Sequence, residues 1–546
     1  MHARYRHFFV VGISFFIIFV SKRTKIILLM RLTKALLVMI SVVFMAEVSS
    51  AASIRGVVTC EGKGVANVVV SDGISVTRTN KKGAYKLKTD NEMSHVVFIS
   101  TPSGYEVPTR RGFLPAFYHA LEKGKSQYDF TLKAVDQTNY HLIVSADLHV
   151  RNRAMTLKEP IERHPLNYPV GELDSVSFAR TYIPTMRKYV SQLPKGEPVY
   201  GLNLGDMSNE SHWFRYGGTL ENFVTVCERS GLPIQTYTVI GNHEHDMRAR
   251  DIFDDDDTAA ELEYMKVFGP TYYSFNIGGV HYVVIDNIKY CNHKSKGRDR
   301  NSEVRITQDQ IDWAARDAKF LPKDTKHIVI AWHCPGHRLY KNGEATHNTK
   351  DILDSYAPYG LPMTILSGHN HHAETVTVLD YENTVEYLHT SVSGAWWYFP
   401  VCADGAPSTF TDYTFKSGAL TARESVNFTT PSESKFRIYN KDERNKEGER
   451  VIRINIWDWH KSWRFDVYEN GVKMENPNIK QVRHKDKVYL DLYNGTGNGI
   501  KSFKWLRPLN TPHFVEYRPH NPEAEIRIVA FDEFGNKYFD TNTRVE

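Results

Sequence analysis

Apolar positions change their period twice along the chain. Just past residue 52, short β-branched runs are cut by Gly and Asn turns: Ser53-Ile-Arg-Gly-Val-Val-Thr, then Gly-Val-Ala-Asn-Val-Val-Val, then Asn80-Lys-Lys-Gly-Ala-Tyr-Lys-Leu. Such runs predict a small antiparallel sandwich. In the centre, strand-like runs alternate with helical spacing, which places apolar side chains on one face of 177–193 and of 220–227. Thr307 followed by Gln310 reads as a capping box opening a helix through Ala318. Residues 272–286 predict a hairpin turning at Gly278-Gly279. The acidic run from Asp254 to Asp257 reads as a solvated loop, with a calcium site as the alternative. From about 406 the pattern is all-β again, with alternation over 451–457 and 464–468 and turns at Glu469-Asn470-Gly471 and Phe534-Gly535-Asn536.

These shifts divide the chain into 1–52, a targeting segment; 53–136, an N-terminal β-module; 137–405, an α/β catalytic domain; and 406–546, a C-terminal β-module. A chain of 546 residues is expected to hold several domains. Neither a repeat nor a low-complexity linker is visible.

Charge and chain ends bear on location. Apolar stretches at 8–20 and 35–46 are separated by Lys22, Arg23, Lys25, Arg31 and Lys34, and neither reaches the roughly 18–20 residues a helix needs to span a bilayer. The second fits a secretory signal: a basic start at Met30, an apolar core, and Ser49-Ser50-Ala51-Ala52 as cleavage site. Met30 is thus an alternative start, and the expected location is periplasmic or extracellular, with no transmembrane span left after processing. A genuine N-terminal anchor is the competing reading. Through Ala52 there are seven basic residues and one acid, a surplus of +6 within a total of +5, so the remainder carries −1. A near-neutral body has no electrostatic footprint for nucleic acid. Five cysteines (Cys60, Cys227, Cys291, Cys334, Cys402) leave at least one unpaired, so this is not a disulfide scaffold, and none has C-x-x-C spacing.

Five polar motifs, each behind an apolar run, carry the chemistry. They are Asp147-Leu-His149, Gly205-Asp206, Gly241-Asn242-His243-Glu244, His333, and Gly368-His369-Asn370-His371. Singly, each reads as a turn, a surface histidine or a buried core histidine. Jointly they supply two carboxylates, an amide oxygen and four imidazoles besides His243, a donor set suited to Mn, Zn or Fe. Two such ions about 3.5–4 Å apart clamp the attacking and leaving oxygens of an in-line displacement at phosphorus.

Order and spacing resemble the calcineurin-like metallophosphoesterases, whose pattern is D-x-H, G-D, G-N-H-[DE], H, G-H-x-H. The resemblance spans roughly residues 139–400. It implies a metallophosphoesterase-type β-sandwich core flanked by helices, with Asp147, His149 and His371 on one metal. Asn242, His333 and His369 would hold the other, and Asp206 would bridge the pair. His243 would face the substrate and protonate the leaving oxygen while a bridging hydroxide attacks phosphorus. The purple acid phosphatases place a tyrosine three positions after the bridging aspartate; Asn209 stands there, so an iron–tyrosinate centre is not expected. The Gly-Val-x-x-Val…Gly-x-Tyr pattern of the N-terminal module resembles carboxypeptidase-regulatory-like modules, and the β–catalytic–β order resembles secreted bacterial phosphoesterases with N- and C-terminal modules.

The expected activity is hydrolysis of a phosphomonoester or phosphodiester, with a phosphorylated small molecule, a glycan or a lipid headgroup as substrate. His212, His337, Arg338, Trp396 and Trp397 are the candidates for substrate contact, since arginine presents a planar fork to phosphate oxygens. Trp396 and Trp397 have a second reading, packing under the C-terminal module. The alternative function is a non-catalytic binding protein on a relic metal fold. A relic tends to lose ligands, whereas all seven ligand positions and His243 are present.

Overall fold

Two sheets packed face to face form the centre of the computed structural model, which describes residues 52–542 apart from 90–93, 154–171, 250–255, 292–301, 337–339, 342–343, 346–347, 379, 430–435, 440–442, 496–500 and 502. The first sheet runs, in spatial order, Gln235–Thr238, Val199–Asn203, Asn139–Ser145, Thr409–Lys416, Ala419–Asn427; the first three strands are mutually parallel and the last two antiparallel. The second runs Tyr273–Ile277, Val280–Val284, His327–Ala331, Met363–Ser367, Thr384–Leu388, Glu374–Thr377, with the four inner strands parallel. Strands such as His327–Ala331 are buried along their whole length, as expected when a sheet is covered on both faces. The inner faces meet through aromatics: Tyr237 stacks on Phe275 at 3.9 Å, and the Tyr140 and Tyr282 hydroxyls lie 2.6 Å apart.

Helices cover the outside. The spacing over 177–193 appears as Asp174–Gln192, and that over 220–227 as Leu220–Ser230, capped by Thr219 and closed at Gly231. The hairpin turns at Gly278 and Gly279, both at positive φ. The helix after Thr307 forms over Gln308–Asp317, but no capping box closes it. The Gln310 amide donates to Thr307 Oγ1 at 3.3 Å, and its oxygen accepts from the Asp286 backbone at 3.0 Å. A partner on a neighbouring strand end has displaced the local one.

The N-terminal module is a two-sheet sandwich, with one departure from the antiparallel expectation: Ala52–Cys60 and Phe130–Ala134 pair in parallel. It joins the second catalytic sheet through Thr101, whose carbonyl accepts from Asn276 N at 2.8 Å, and the helix Gln308–Asp317 through the Ser71 hydroxyl, which accepts from the Trp313 indole at 3.1 Å. At the other end, the hairpin 409–427 lies beyond the expected division at 405/406 yet extends the first catalytic sheet. The separate C-terminal sheets begin with Phe436–Tyr439 and surround a core of Ile452, Ile454, Val467, Ile526 and Ile528. That module also departs from all-β character: helix Lys487–Asn494, capped by Asp486, clusters Tyr489 and Leu492 with Phe399 and Val401. All five cysteines are free. No helix among the described residues is long and apolar enough to cross a membrane. Asp257 is buried within helix Asp256–Phe268, against the solvated-loop expectation; Asp254 and Asp255 lie outside the described residues.

Candidate metal centre

Each of the five motifs follows the C-terminal end of a parallel strand, so the loops of both sheets open on one crevice. Five of the seven candidate ligands, Asp147, His149, Asp206, His369 and His371, adopt left-handed backbone angles of 47–67°. Non-glycine residues rarely sit there, and such strain concentrates at functional sites. Two glycines permit the crowding. Gly205 has φ 94°, and a Cβ on it would stand 2.9 Å from His333 Nδ1; one on Gly241 would meet Asp206 Oδ1 at 2.4 Å.

The candidate ligand atoms fall into three overlapping groups, two of which contain Asp206. Asp147, His149 and His371 bring one donor atom each within 4.8 Å of one another, as do Asp206, His333 and His369, and His149, Asp206 and His243. Asn242 Oδ1 lies 3.2 Å from His333 Nε2. Asp206 Oδ2 stands 3.3 Å from His333 Nε2 and 3.7 Å from His149 Nε2, between the two groups.

Cations fit this donor set on two observations. His149 Nε2 faces His371 Nε2 at 3.0 Å, and His333 Nε2 faces His369 Nδ1 at 3.2 Å; ring nitrogens at such range need either a shared proton or a cation beside them. The fully buried Asp147 Oδ1 has no hydrogen-bond partner among the described residues, a costly state for a carboxylate oxygen. Burial works against charge on both members of the central pair. Even so, Asp206 holds the His333 imidazole up to about 10, and His333 and His243 hold Asp206 well below the usual carboxylate range.

Neighbouring groups aim the ligands. His333 Nδ1 donates to the Leu204 carbonyl at 2.7 Å, which leaves Nε2 facing the centre. Glu244 accepts from the backbone amides of Asp206 (2.7 Å), Gly241 (2.9 Å) and Ser208 (3.1 Å), tying two ligand loops together. The His243 amide donates to Asp206 Oδ1 at 2.9 Å. Its ring is held by the loop after Asp206: Nδ1 lies 2.6 Å from Glu210 Oε2 and 2.9 Å from Asn209 Nδ2, and Nε2 lies 3.9 Å from Asp206 Oδ2.

The substrate candidates divide. Trp396 reaches the site, its ring stacked on His149 at 4.0 Å and on His371 at 4.7 Å. Trp397 does not. It is 3 % exposed, donates its indole N–H to the Leu148 carbonyl at 2.9 Å, and belongs to the catalytic domain's apolar cluster with Phe178 and Phe410. Both readings of Trp397 give way here: Trp396 and Trp397 share left-handed backbone angles (φ 56° and 64°), and the Leu148 carbonyl with the surrounding apolar cluster holds the Trp397 ring inward. His212 stacks on Tyr216 at the rim, with Nε2 3.5 Å from Arg153 Nη1. His337 and Arg338 lie outside the described residues.

Three further residues escaped the motif reading. Arg151 is 5 % exposed, pairs with Asp174 at 3.3 Å and donates to the Trp396 carbonyl at 3.2 Å. The only trace in the sequence is the polar alternation Asp147, His149, Arg151. Glu210 had no signal beyond its place after Asn209. Asp404 accepts from the Ala373 amide at 2.9 Å and lies 3.0 Å from His513 Nε2, which fastens the C-terminal module to the loop behind His371.

Comparison with known proteins agrees with this geometry. Residues 140–373 match the family model for calcineurin-like phosphoesterase, residues 52–135 that for the N terminal of calcineurin-like phosphoesterase, and residues 386–538 that for its C terminal. No curated protein matches the chain. Solved structures similar to it include a dimetal phosphatase from Danio rerio (12% identity, TM-score 0.33, covering 54% of this chain and 100% of that one). Another is a 5'-nucleotidase from Candida albicans (11% identity, TM-score 0.32, covering 55% of this chain and 53% of that one). With all three models matched in order across nearly the whole described length, the chain belongs to the calcineurin-like phosphoesterases.

Proposed function

We propose that the protein is an exported two-metal phosphoesterase acting on a phosphorylated small molecule, glycan or lipid headgroup. The observation that carries this reading is the position of Asp206, whose Oδ2 stands between His333 on one side and His149 on the other. One ion would be held by Asp147, His149 and His371, the other by Asn242, His333 and His369, with Asp206 shared. Cations there supply Lewis acidity for both the attacking and the leaving oxygen and lower the pKa of water.

The chain's own residues do the rest. Glu210 accepts from His243 Nδ1, which fixes the ring and leaves Nε2 facing the crevice, the atom from which a proton reaches the leaving oxygen. Trp396 covers the His149–His371 side and narrows the entrance for the organic part of the substrate. Arg151, anchored by Asp174, holds the Trp396 carbonyl and so the loop that carries the ring. His212 at the rim, and Arg338 beyond the described residues, are the proposed contacts for the leaving group.

Export rests on the sequence: a basic, apolar segment ending in small residues before Ser53. The experiment is hydrolysis of p-nitrophenyl phosphate and bis-p-nitrophenyl phosphate by metal-free protein supplied with Mn, Zn or Fe. Turnover of one ester over the other decides monoesterase from diesterase. No metal-dependent turnover of either would favour a binding protein.

A further inference from the structure

A second group of ligand-type side chains lies behind the catalytic loop and takes no part in the chemistry above. His245 is two residues past His243, Glu261 lies on helix Asp256–Phe268, and Asp286 follows strand Val280–Val284. Each brings one donor atom within 4.8 Å of the others, and all three side chains are buried, His245 and Asp286 almost completely.

The hydrogen bonds around the group leave its inner atoms over. His245 Nδ1 donates to the Gly241 carbonyl at 2.9 Å, so Nε2 is the nitrogen that points inward. Asp286 Oδ1 accepts from the Ile288 amide at 2.9 Å, so Oδ2 points inward. These two atoms stand 3.6 Å apart, and neither has a hydrogen-bond partner among the described residues. Tyr290 stacks flat on the imidazole at 4.8 Å and 4°, closing one side. A third carboxylate-bearing residue, Asp257, is also buried nearby; its Oδ1 accepts from the Tyr290 amide at 2.5 Å. Three carboxylates against one imidazole leave negative charge in a dry place. Burial and repulsion from Asp286 push Asp257 up to about 7, and burial with repulsion from Asp257 pushes Glu261 well above its ordinary range.

We infer that His245, Glu261 and Asp286 form a third cation site, distinct from the catalytic pair and taking a divalent first-row transition metal. Ligands about 2.0–2.2 Å from one ion stand within roughly 4.4 Å of each other, which the group meets with little movement. The imidazole nitrogen selects Zn or Mn over Mg and Ca, which prefer all-oxygen sites. The ion would lock three pieces together: the segment bearing Asn242 and His243, the helix behind it, and the end of a strand in the second sheet. Its role is structural, because the stacked Tyr290 ring and the burial of His245, Glu261 and Asp286 leave substrate no approach among the described residues.

The test is metal content of the full-length protein dialysed against Zn or Mn and then desalted. Three ions per chain are expected in the wild type, falling to two in Glu261→Gln and in Asp286→Asn. Anomalous scattering from wild-type crystals soaked in Zn should place a peak between His245 Nε2 and Asp286 Oδ2, a readout that does not depend on either variant folding. Two ions per chain with no peak there would mean that the carboxylates share a proton instead, and the site would be withdrawn. The catalytic pair is read separately, by its own peaks, so that failure would leave the proposed phosphoesterase untouched.

Discussion

Glu210 Oε2 and His243 Nδ1 lie 2.6 Å apart, both residues buried, with no metal ligand between them. A carboxylate on one ring nitrogen fixes which nitrogen faces the reaction. His243→Ala should therefore cut turnover by about 10²–10⁴, the usual range for a general acid, with metal content unchanged. The loss should be larger for alkyl phosphates than for p-nitrophenyl phosphate, whose leaving group needs no proton. Glu210→Gln should reduce kcat by less and alter the pH–rate profile while leaving KM alone. An unaltered profile would show that Glu210 only packs.

Asp206→Ala removes the oxygen shared by both ligand groups. Metal analysis should find fewer ions per chain than in wild type, with activity near background. Full metal content and full activity in that variant would overturn the shared-ligand assignment.

The adjacent tryptophans should behave oppositely. Trp397→Ala empties a buried site and should cost about 3–5 kcal/mol in urea unfolding, as large-to-small core substitutions do. Trp396→Ala should unfold near wild type but raise KM for a bulky substrate more than for an aryl phosphate. Equal losses of stability would mean that Trp396 is only a packing residue.

His327 is buried in the second sheet, where desolvation lowers its pKa to about 4, against 6.5 for the free side chain. Between those values the unfolded chain binds the proton and the folded one does not. Its contribution is therefore intact above pH 6.5 and lost as pH falls towards 4, by at most about 3 kcal/mol. Stability against pH should fall less steeply on the acid side in His327→Gln, by close to one proton. Parallel curves would contradict the shift.

Export predicts a mature N-terminus near Ala52 or Ser53. Mass spectrometry of protein from the native host should find it there, in the periplasm or the medium; intact residues 1–50 on the bulk of the protein would rule out cleavage.

Much of this architecture was legible because it is written in short-range patterns. The apolar runs before Asp147, Asp206, Asn242, His333 and His369 mark strands on their own, and polar residues at their ends mark loops. The helix 174–192 and the turn at Gly278-Gly279 follow from periodicity and from backbone freedom, both local. What tertiary structure decided is partner choice over long separations. The hairpin 409–427 has the same alternation whether it sits in a C-terminal module or beside Asn139–Ser145, and only the pairing of Asn139 with Lys416 places it. The parallel pairing of Val58 with Phe130 is equally silent in the sequence. The Gln310 side-chain oxygen serves the Asp286 amide instead of the helix start, because a strand end arrives beside it, while its amide nitrogen stays on Thr307. Trp396 and Trp397 are one residue apart and chemically identical, yet one stacks on His149 and His371 and the other fills the core. Composition cannot separate such neighbours, because both have the same kind of backbone angle and the difference lies in what each ring meets more than 200 residues away in sequence, His149 for one and the Leu148 carbonyl for the other.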